Sequence, residues 1–348
     1  MEPDLLGALS RADLALGRLD GVTGILPNPD LFVAMYVRQE AVLSSQIEGT
    51  QASLDDLLEY EAGDIGKRDN ADVEEVVNHV AAMNHGLRRL TDLPLSLRLI
   101  REIHAELLKG VRGRDREPGE FRRSQNWIGP AGCTLATASY VPPPHHEMVP
   151  ALGDLERFMH DRTQPVLLRA GLVHAQFETI HPFLDGNGRV GRLLITFLLC
   201  ADGVLSRPLL YLSHYLKRNR AEYYDRLQAI RETGAWEEWL QFFLGGVAEV
   251  AEQASMTARR ILELREEQRA ALGNAGRPGG SVLRALDVLF EHPVLTVSQL
   301  ANALDVTFPA AAAVANRLVE AGVLTETTGR QRNRRFRFAP YLSLFADA

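Results

Sequence analysis

The sequence predicts a mainly α fold, because apolar residues recur at three- and four-residue steps through most of the chain while strand-like patterning is confined to two short stretches. Gly and Pro punctuate the helical runs. Leu5, Leu9, Leu16 and Leu19, with Ala12 between them, mark an amphipathic helix over residues 2–20 that should stop at Gly21. After the Pro27-Asn28-Pro29 turn, Phe32, Tyr36, Leu43 and Ile47 define a second helix, with Asp30 as its cap and Gly49 at its end. A third opens near Ser53. Beyond the polar Gly63 to Asn70 loop, Val73, Val76, Val80, Met83, Leu87 and Leu90 give a fourth that Pro94 breaks. Ile100, Ile103 and Leu107 carry a fifth up to Gly110, and a charged loop follows from Arg112 to Arg123.

The first strand-like stretch is Gln125 to Val141, where Trp127-Ile128 and Leu135 to Val141 flank a Gly129-Pro130-Ala131-Gly132 turn. Pro142-Pro143-Pro144 closes it. Helices return at Met148 to Met159, Val166 to Thr179 and Gly188 to Leu199, then from about Ala221 and from Trp236 onward. Gly273 to Gly280 forms a linker. Past it, Val282 to Phe290, Val297 to Leu304 and Pro309 to Ala321 predict three short helices, and Leu324-Thr325 with Phe336 to Phe338 predict two strands. The expected division is therefore 1–94, 95–272, a 273–280 linker and a small domain over 281–348.

Composition narrows the class. A chain of 348 residues suggests two or three domains, and 46% hydrophobic with 24% charged residues excludes wholesale disorder and fibrous repeats. Only Cys133 and Cys200 are present, so neither a disulfide framework nor a four-cysteine zinc site can form, and a reducing cytoplasm is expected. The acidic start lacks the pattern of a secretory signal, and the most apolar stretch, Leu193 to Cys200, falls short of the ~20 residues a bilayer requires. A net charge of -7 argues against a nucleic-acid coat.

Chemistry concentrates in His181-Pro182-Phe183-Leu184-Asp185-Gly186-Asn187-Gly188-Arg189-Val190-Gly191-Arg192. Backbone amides at a helix start offer a fixed positive end to a phosphate, and Gly186 and Gly188 let the chain approach it. The Asn187 side chain can donate to the same oxygens. Arg189 and Arg192, three apart, are expected to share a face and clamp the outer phosphates. Asp185 is placed to hold a magnesium ion, which takes one or two carboxylates and completes its shell with phosphate and water. His181, restricted to extended dihedrals by Pro182, is the candidate general base. A structural turn needs no base, acid, cradle and two arginines together.

These residues resemble the Fic family, whose signature His-Pro-Phe-x-x-Gly-Asn-Gly-Arg-x-x-Arg is matched at every fixed position. The resemblance implies a helical core that moves AMP from ATP to a Ser, Thr or Tyr hydroxyl of a target protein, releasing pyrophosphate with magnesium assisting. It implies His181 as base, Asp185 as metal ligand, and Gly186, Asn187, Gly188, Arg189, Val190, Gly191 and Arg192 as the ATP site. Gly188, where the phosphate-transferring Doc branch carries lysine, implies AMP transfer. The family's β-hairpin flap is similar to Gln125 to Val141, with Gly119-Glu120-Phe121-Arg122 as its lead-in. Tyr223 and Tyr224 are similar to an aromatic pair lining the adenine pocket, or else pack the core.

Ser44-Ser45-Gln46-Ile47-Glu48-Gly49 fits the same family's inhibitory pattern, with Ser44, Glu48 and Gly49 at its fixed positions. A Glu48 carboxylate paired with Arg192 would occupy the terminal-phosphate position and repel that phosphate. The C-terminal helices and strands resemble a winged helix, with Arg330, Arg332, Arg334 and Arg335 on the wing. Ala310 to Arg317 offers few groups able to read base edges, so docking or self-association ranks above DNA binding. Self-modification and a homo-oligomer stay open, and no membrane contact is expected. Rival functions are a nucleotide-sensing DNA-binding regulator and a transferase using UTP or a phosphocholine carrier. Metal sites at His145-His146, in a loop after prolines, or at His174 with His181 carry little weight.

Overall fold

The computed structural model describes residues 3–25, 29–63, 71–111, 115–129, 132–274, 280–330 and 333–345. Pro27-Asn28, residues 64–70 and 112–114, Pro130-Ala131, residues 275–279 and the wing residue Arg332 lie outside that description. Helix α1 (Pro3–Ile25) lies on α11 (Trp236–Asn274) through the most extensive helix–helix contact of the molecule. It does not stop at Gly21. Burial of Leu16, Leu19 and Val22 outweighs the ~1 kcal/mol that a mid-helix glycine costs.

Helix α2 (Pro29–Ile47) begins on a proline, whose missing N–H is harmless at the first helical position, so Asp30 falls inside the first turn instead of capping it. The next helix, α3 (Leu54–Glu61), opens with a reciprocal cap: Ser53 Oγ accepts from the Asp56 N–H at 3.1 Å, and Asp56 Oδ2 accepts from the Ser53 N–H at 2.9 Å. Then α4 (Ala71–Arg89) packs on α5 (Leu97–Leu107) and crosses α2. Helix α6 (His145–Met159) includes His145-His146 in its first turn, not in a loop. The centre of the protein is the antiparallel pair α7 (Val166–Ile180) and α8 (Asn187–Ala201), and α8 is buried from Arg189 to Leu199. Around it lie α9 (Ser213–Arg218), which packs on α2, and α10 (Arg220–Thr233), which packs on α7 and α11.

Among the described residues, the expected hairpin at Gln125 to Val141 is reduced to a single antiparallel bridge between Ile128 and Tyr140. Ile128 N–H donates to Tyr140 O at 2.8 Å, and Ser139 N–H donates to Ile128 O at 2.8 Å. Leu135–Thr137, expected in a strand, forms one 3-10 turn closed by Thr137 N–H on Thr134 O. Side-chain bonds from Thr137 Oγ1 to the Thr134 backbone compete there with ladder pairing.

The C-terminal segment runs α12 (Gly280–Glu291), β1 (Val294–Thr296), α13 (Val297–Leu304), α14 (Phe308–Glu320), β2 (Thr325–Glu326), β3 (Arg335–Arg337) and α15 (Ala339–Leu342). The antiparallel sheet has the order β1-β3-β2, pairing Leu295 with Phe336 and Thr325 with Arg337. Strand β1 was not expected: two residues between Pro293 and the Thr296 to Gln299 capping box are too few to show alternation. The apolar core is continuous from α1 to Phe345, whose ring meets Tyr36 of α2 edge-on at 5.6 Å. No helix among the described residues is long and apolar enough to cross a membrane.

Gly86 on α4 marks the closest approach to α8, since a Cβ there would lie 2.3 Å from the buried Phe197 ring. Gly86→Ala is expected to lose about 1–3 kcal/mol of stability through overpacking. Urea unfolding followed by circular dichroism checks this, and an unchanged midpoint would contradict the crossing geometry.

Candidate active site

His181 caps the C-terminal end of α7 in the left-handed region, at φ +49 and ψ +61, so the extended conformation expected before Pro182 is not adopted. That backbone is strained for a non-glycine residue and must be held. His181 N–H donates to Phe177 O at 2.8 Å, and its carbonyl accepts from Arg122 Nε at 3.0 Å and Asn126 Nδ2 at 3.3 Å. Arg122 is fully buried, and its remaining donors reach Ser124, Pro143 and Ile180 carbonyls. One guanidinium thus ties the loop before the flap, the flap's exit and the end of α7.

On the other side of the loop, the buried His104 ring stacks on Phe183 at 3.7 Å. Its Nδ1 accepts the Gly119 N–H at 2.8 Å, so Nε2 carries the proton and donates to Asp185 O at 3.0 Å. Burial pushes the His104 pKa down to about 4, against the pull of Asp185, and keeps the ring neutral.

Helix α8 begins after Gly186, whose φ of +78 suits glycine. The Asn187 side chain does not face a phosphate position. It is buried, accepts from the Phe183 N–H at 2.8 Å and donates to Phe183 O at 2.8 Å, so it staples the loop. Arg189 also departs from expectation: it is buried, with Nη1 3.3 Å from Glu75 of α4 and Nη2 3.7 Å from Asp185. Residues three apart on a helix still differ by 60° in direction, enough to send Arg189 to α4 and Arg192 to α2. Val190 is core. A Cβ at Gly191 would stand 2.5 Å from Glu178 Oε1. Asp185 is the loop's exposed carboxylate, with 40% of its side chain accessible and Oδ1 accepting the Gly186 N–H at 2.6 Å.

Arg192 donates through Nε to Ser44 Oγ at 2.8 Å, and through Nη2 to Ser44 O at 2.9 Å and Glu48 Oε1 at 2.6 Å. Burial raises the Glu48 pKa, but Arg192, with Arg189 and His181 adding to it, outweighs burial and holds the carboxyl below its ordinary range. Gly49, at φ +105, turns the chain away just after it. A Cβ at Gly188 would lie 2.1 Å from Glu48 Oε1, so the carboxylate rests directly over the start of α8.

Glu48, His181, Gly188, Arg192, Tyr223 and Tyr224 line one cavity of about 650 Å³, together with Ile128, Ser139 and Tyr140 of the flap and Glu178 and Arg231. Asp185, Gly186, Asn187 and Arg189 do not line it. Burial, reinforced by the Arg231 cation, lowers the His181 pKa to about 4 despite Glu48, so the imidazole is neutral and able to accept a proton near pH 7. Tyr223 is buried, with its hydroxyl 2.8 Å from His174 Nε2, whereas Tyr224 is 40% exposed to the cavity with Arg220 over its ring. Arg231 lies 4.0 Å from the centre of the Tyr140 ring, whose hydroxyl donates to Thr179 O at 2.8 Å. Sequence reasoning placed Arg122 only in the flap's lead-in and missed His104, Glu178 and Arg231. For Glu178 the spacing from His181 was visible, but the other three act through contacts remote in sequence.

The chain matches two models of one family: the Fic/DOC family N-terminal model over residues 6–88 and the Fic/DOC family model over residues 94–199. A probable protein adenylyltransferase of Aquifex aeolicus is 26% identical over 202 residues, covering 58% of this chain and 57% of that protein. The protein adenylyltransferase Fic of Aedes aegypti is 34% identical over 142 residues, covering 40% of this chain and 25% of that one. The matches thus span about half or less of these relatives' length. In architecture the protein is similar to a Fic family protein from Desulfovibrio desulfuricans G20, with a TM-score of 0.62 at 19% identity, covering 97% of this chain and 96% of the other. The chain belongs to the Fic/DOC family.

Proposed function

We propose that this protein is a self-inhibited protein adenylyltransferase that moves AMP from ATP to a Ser, Thr or Tyr hydroxyl of a target protein. The observation that carries this is the convergence of a neutral His181, the Gly188 helix start, Arg192 and Tyr224 on one cavity. The target hydroxyl attacks the α-phosphorus and His181 takes its proton. The new oxygen–phosphorus bond forms as the bond to the bridging oxygen breaks, and pyrophosphate leaves. Amides at the start of α8 and the Arg192 guanidinium offset the phosphate charge. The flap residues on the cavity wall suit pairing with an extended target segment, which selects backbone more than side chain.

Magnesium fits this donor set as an ion shared with the nucleotide. No cluster of three or more metal-binding side chains occurs among the described residues, while the partly exposed Asp185 carboxylate, just before the start of α8 and outside the cavity lining, matches an ion that takes one carboxylate plus phosphate oxygens. Bound there, it would neutralise phosphate charge. Glu48 is the brake on this reading, because its carboxylate holds the guanidinium and the helix start that a phosphate needs. The two free thiols suit a cytoplasmic setting.

For residues 281–348 we propose a winged-helix-like docking domain, following a linker at 273–280. Arg335 is paired with Glu59, Arg337 with Asp55 at 2.7 Å, and Arg334 with Asn316 at 2.9 Å, so these cations face the protein's own chain. That favours docking over duplex binding.

Glu48→Gly is expected to raise incorporation of labelled AMP from ATP into protein at least tenfold, including self-labelling, and His181→Ala in that background should abolish it. Equal labelling by wild type and Glu48→Gly would remove the brake. Competition by unlabelled ATP but not UTP is expected, and the reverse would reassign the donor. In a mobility-shift assay at 150 mM salt, no sequence-specific duplex band is expected. A specific band would favour the DNA-binding regulator.

A further inference from the structure

We propose that Glu178 is the positioning residue for His181: its carboxylate takes the Nδ1 side of the imidazole as that ring becomes charged, leaving Nε2 to receive the hydroxyl proton. The inference rests on the adenylyl-transfer reading and deepens it. Glu178 lies one helical turn before His181, and the left-handed turn at His181 brings Nδ1 to 3.9 Å from Glu178 Oε2. Neither His181 Nδ1 nor Glu178 Oε1 makes a well-aligned hydrogen bond among the described residues, although the Glu178 backbone lies close enough to the ring to raise the His181 pKa. Two unsatisfied groups side by side in a cavity wall are costly unless the reaction uses them. Helix α8 also leaves room for this carboxylate, since any side chain at Gly191 would meet Glu178 Oε1 at 2.5 Å.

The charged and titratable neighbours of Glu178 come from every side. His174 and His181 lie on or at the end of its own helix, Arg192 comes from α8, Glu48 from beyond α2, and Arg231, Tyr223 and Tyr224 from α10. Burial and Glu48 raise the Glu178 pKa to about 7, against the pull of Arg192 and Arg231. Withdrawal of Glu48 therefore favours ionisation of Glu178, which couples release of the cradle to readiness of the base. In the step itself the hydroxyl proton moves to His181 Nε2, the hydroxyl oxygen bonds to phosphorus, and the bridging bond's electrons leave with pyrophosphate. The doubly protonated ring then carries one positive charge, which the carboxylate balances.

The test uses the full chain carrying Glu48→Gly, with pH–rate profiles for AMP incorporation. Glu178→Gln, which has the shape of the protonated acid, is expected to lower the rate at neutral pH roughly 10- to 100-fold. It should also remove the limb over which Glu178 ionises, which lies near pH 7 while Glu48 is present and lower once Glu48 is replaced. Glu178→Asp should recover part of both, and Gly191→Ala, which displaces the carboxylate, should shift that limb. An unchanged profile, or an equal loss at every pH with the limb in place, overturns the proposal. Nitrogen-15 NMR titration of His181 with and without Glu178→Gln gives the same decision without turnover: a His181 signal step that follows Glu178 ionisation near pH 7 and disappears with Glu178→Gln supports it, and an unchanged titration overturns it. Failure of the transferase reading itself would appear separately, as no incorporation by the Glu48→Gly parent.

Discussion

The arrangement of the site depends on one buried guanidinium. Arg192 sits inside α8 with almost no solvent access, and an ion so placed must be met by charge and by directed acceptors. Helix α2 supplies them along one stripe. Ser44 accepts through hydroxyl and carbonyl, Glu48 brings the carboxylate, and Glu40, one turn earlier, accepts from Ser213 N–H at 3.1 Å and from its hydroxyl. Burial lifts the Glu40 pKa to about 7, with Ser213 and Arg192 opposing. Four-residue spacing thus fixes α2 to α8 and α9 with the same face that closes the cavity. The opposite side of α2 is held by α3 and the C-terminal segment: Arg38 joins Glu61 at 2.9 Å and donates to Glu291 O at 3.1 Å.

Two glycines on α8 complete this design by omission. Gly188 and Gly191 lie three apart, and each faces a carboxylate that a methyl group would displace: Glu48 at the first, Glu178 at the second. A helix loses about 1 kcal/mol at each such position relative to alanine. The loss is offset by placing acids within reach of Arg192 and His181, so α8 is at once the packing centre and the electrostatic wall of the cavity.

Much of this was legible in the sequence. Helical periodicity located the long elements, and the His181 to Arg192 segment announced its chemistry because residue type, order and spacing were all local. What failed was anything decided by distant partners. Asn187 and Arg189 have side chains suited to phosphate, yet Phe183 and Glu75 claim them, and Glu75 lies more than a hundred residues away. His181 escaped the bias imposed by Pro182 because Arg122 and Asn126 hold its carbonyl. Among the described residues the flap shows no strand beyond the Ile128–Tyr140 bridge, because Thr137 bonds the Thr134 backbone in place of ladder pairing. Glu48 was found from sequence because its helix turn carries a local pattern, whereas Glu178 had a helix spacing but no pattern to distinguish it from a solvated acid.

On the proposed reading of Glu48 as a brake, the same geometry bears on how it would let go. Glu48 follows the last residue of α2, Gly49 swings the chain away, and a third of the Glu48 side chain is exposed. Ser44 lies a full turn back inside the helix and is completely buried. A phosphate arriving at Arg192 therefore competes with one side chain, not with the docking of α2, and the guanidinium keeps two acceptors throughout. Inhibition and release then differ by the rotation of a single carboxylate, so their balance follows phosphate occupancy. A change in the packing of α2 would instead have to break the Ser213–Glu40 bonds and the Arg38 contacts together, which makes the local route the lower in energy.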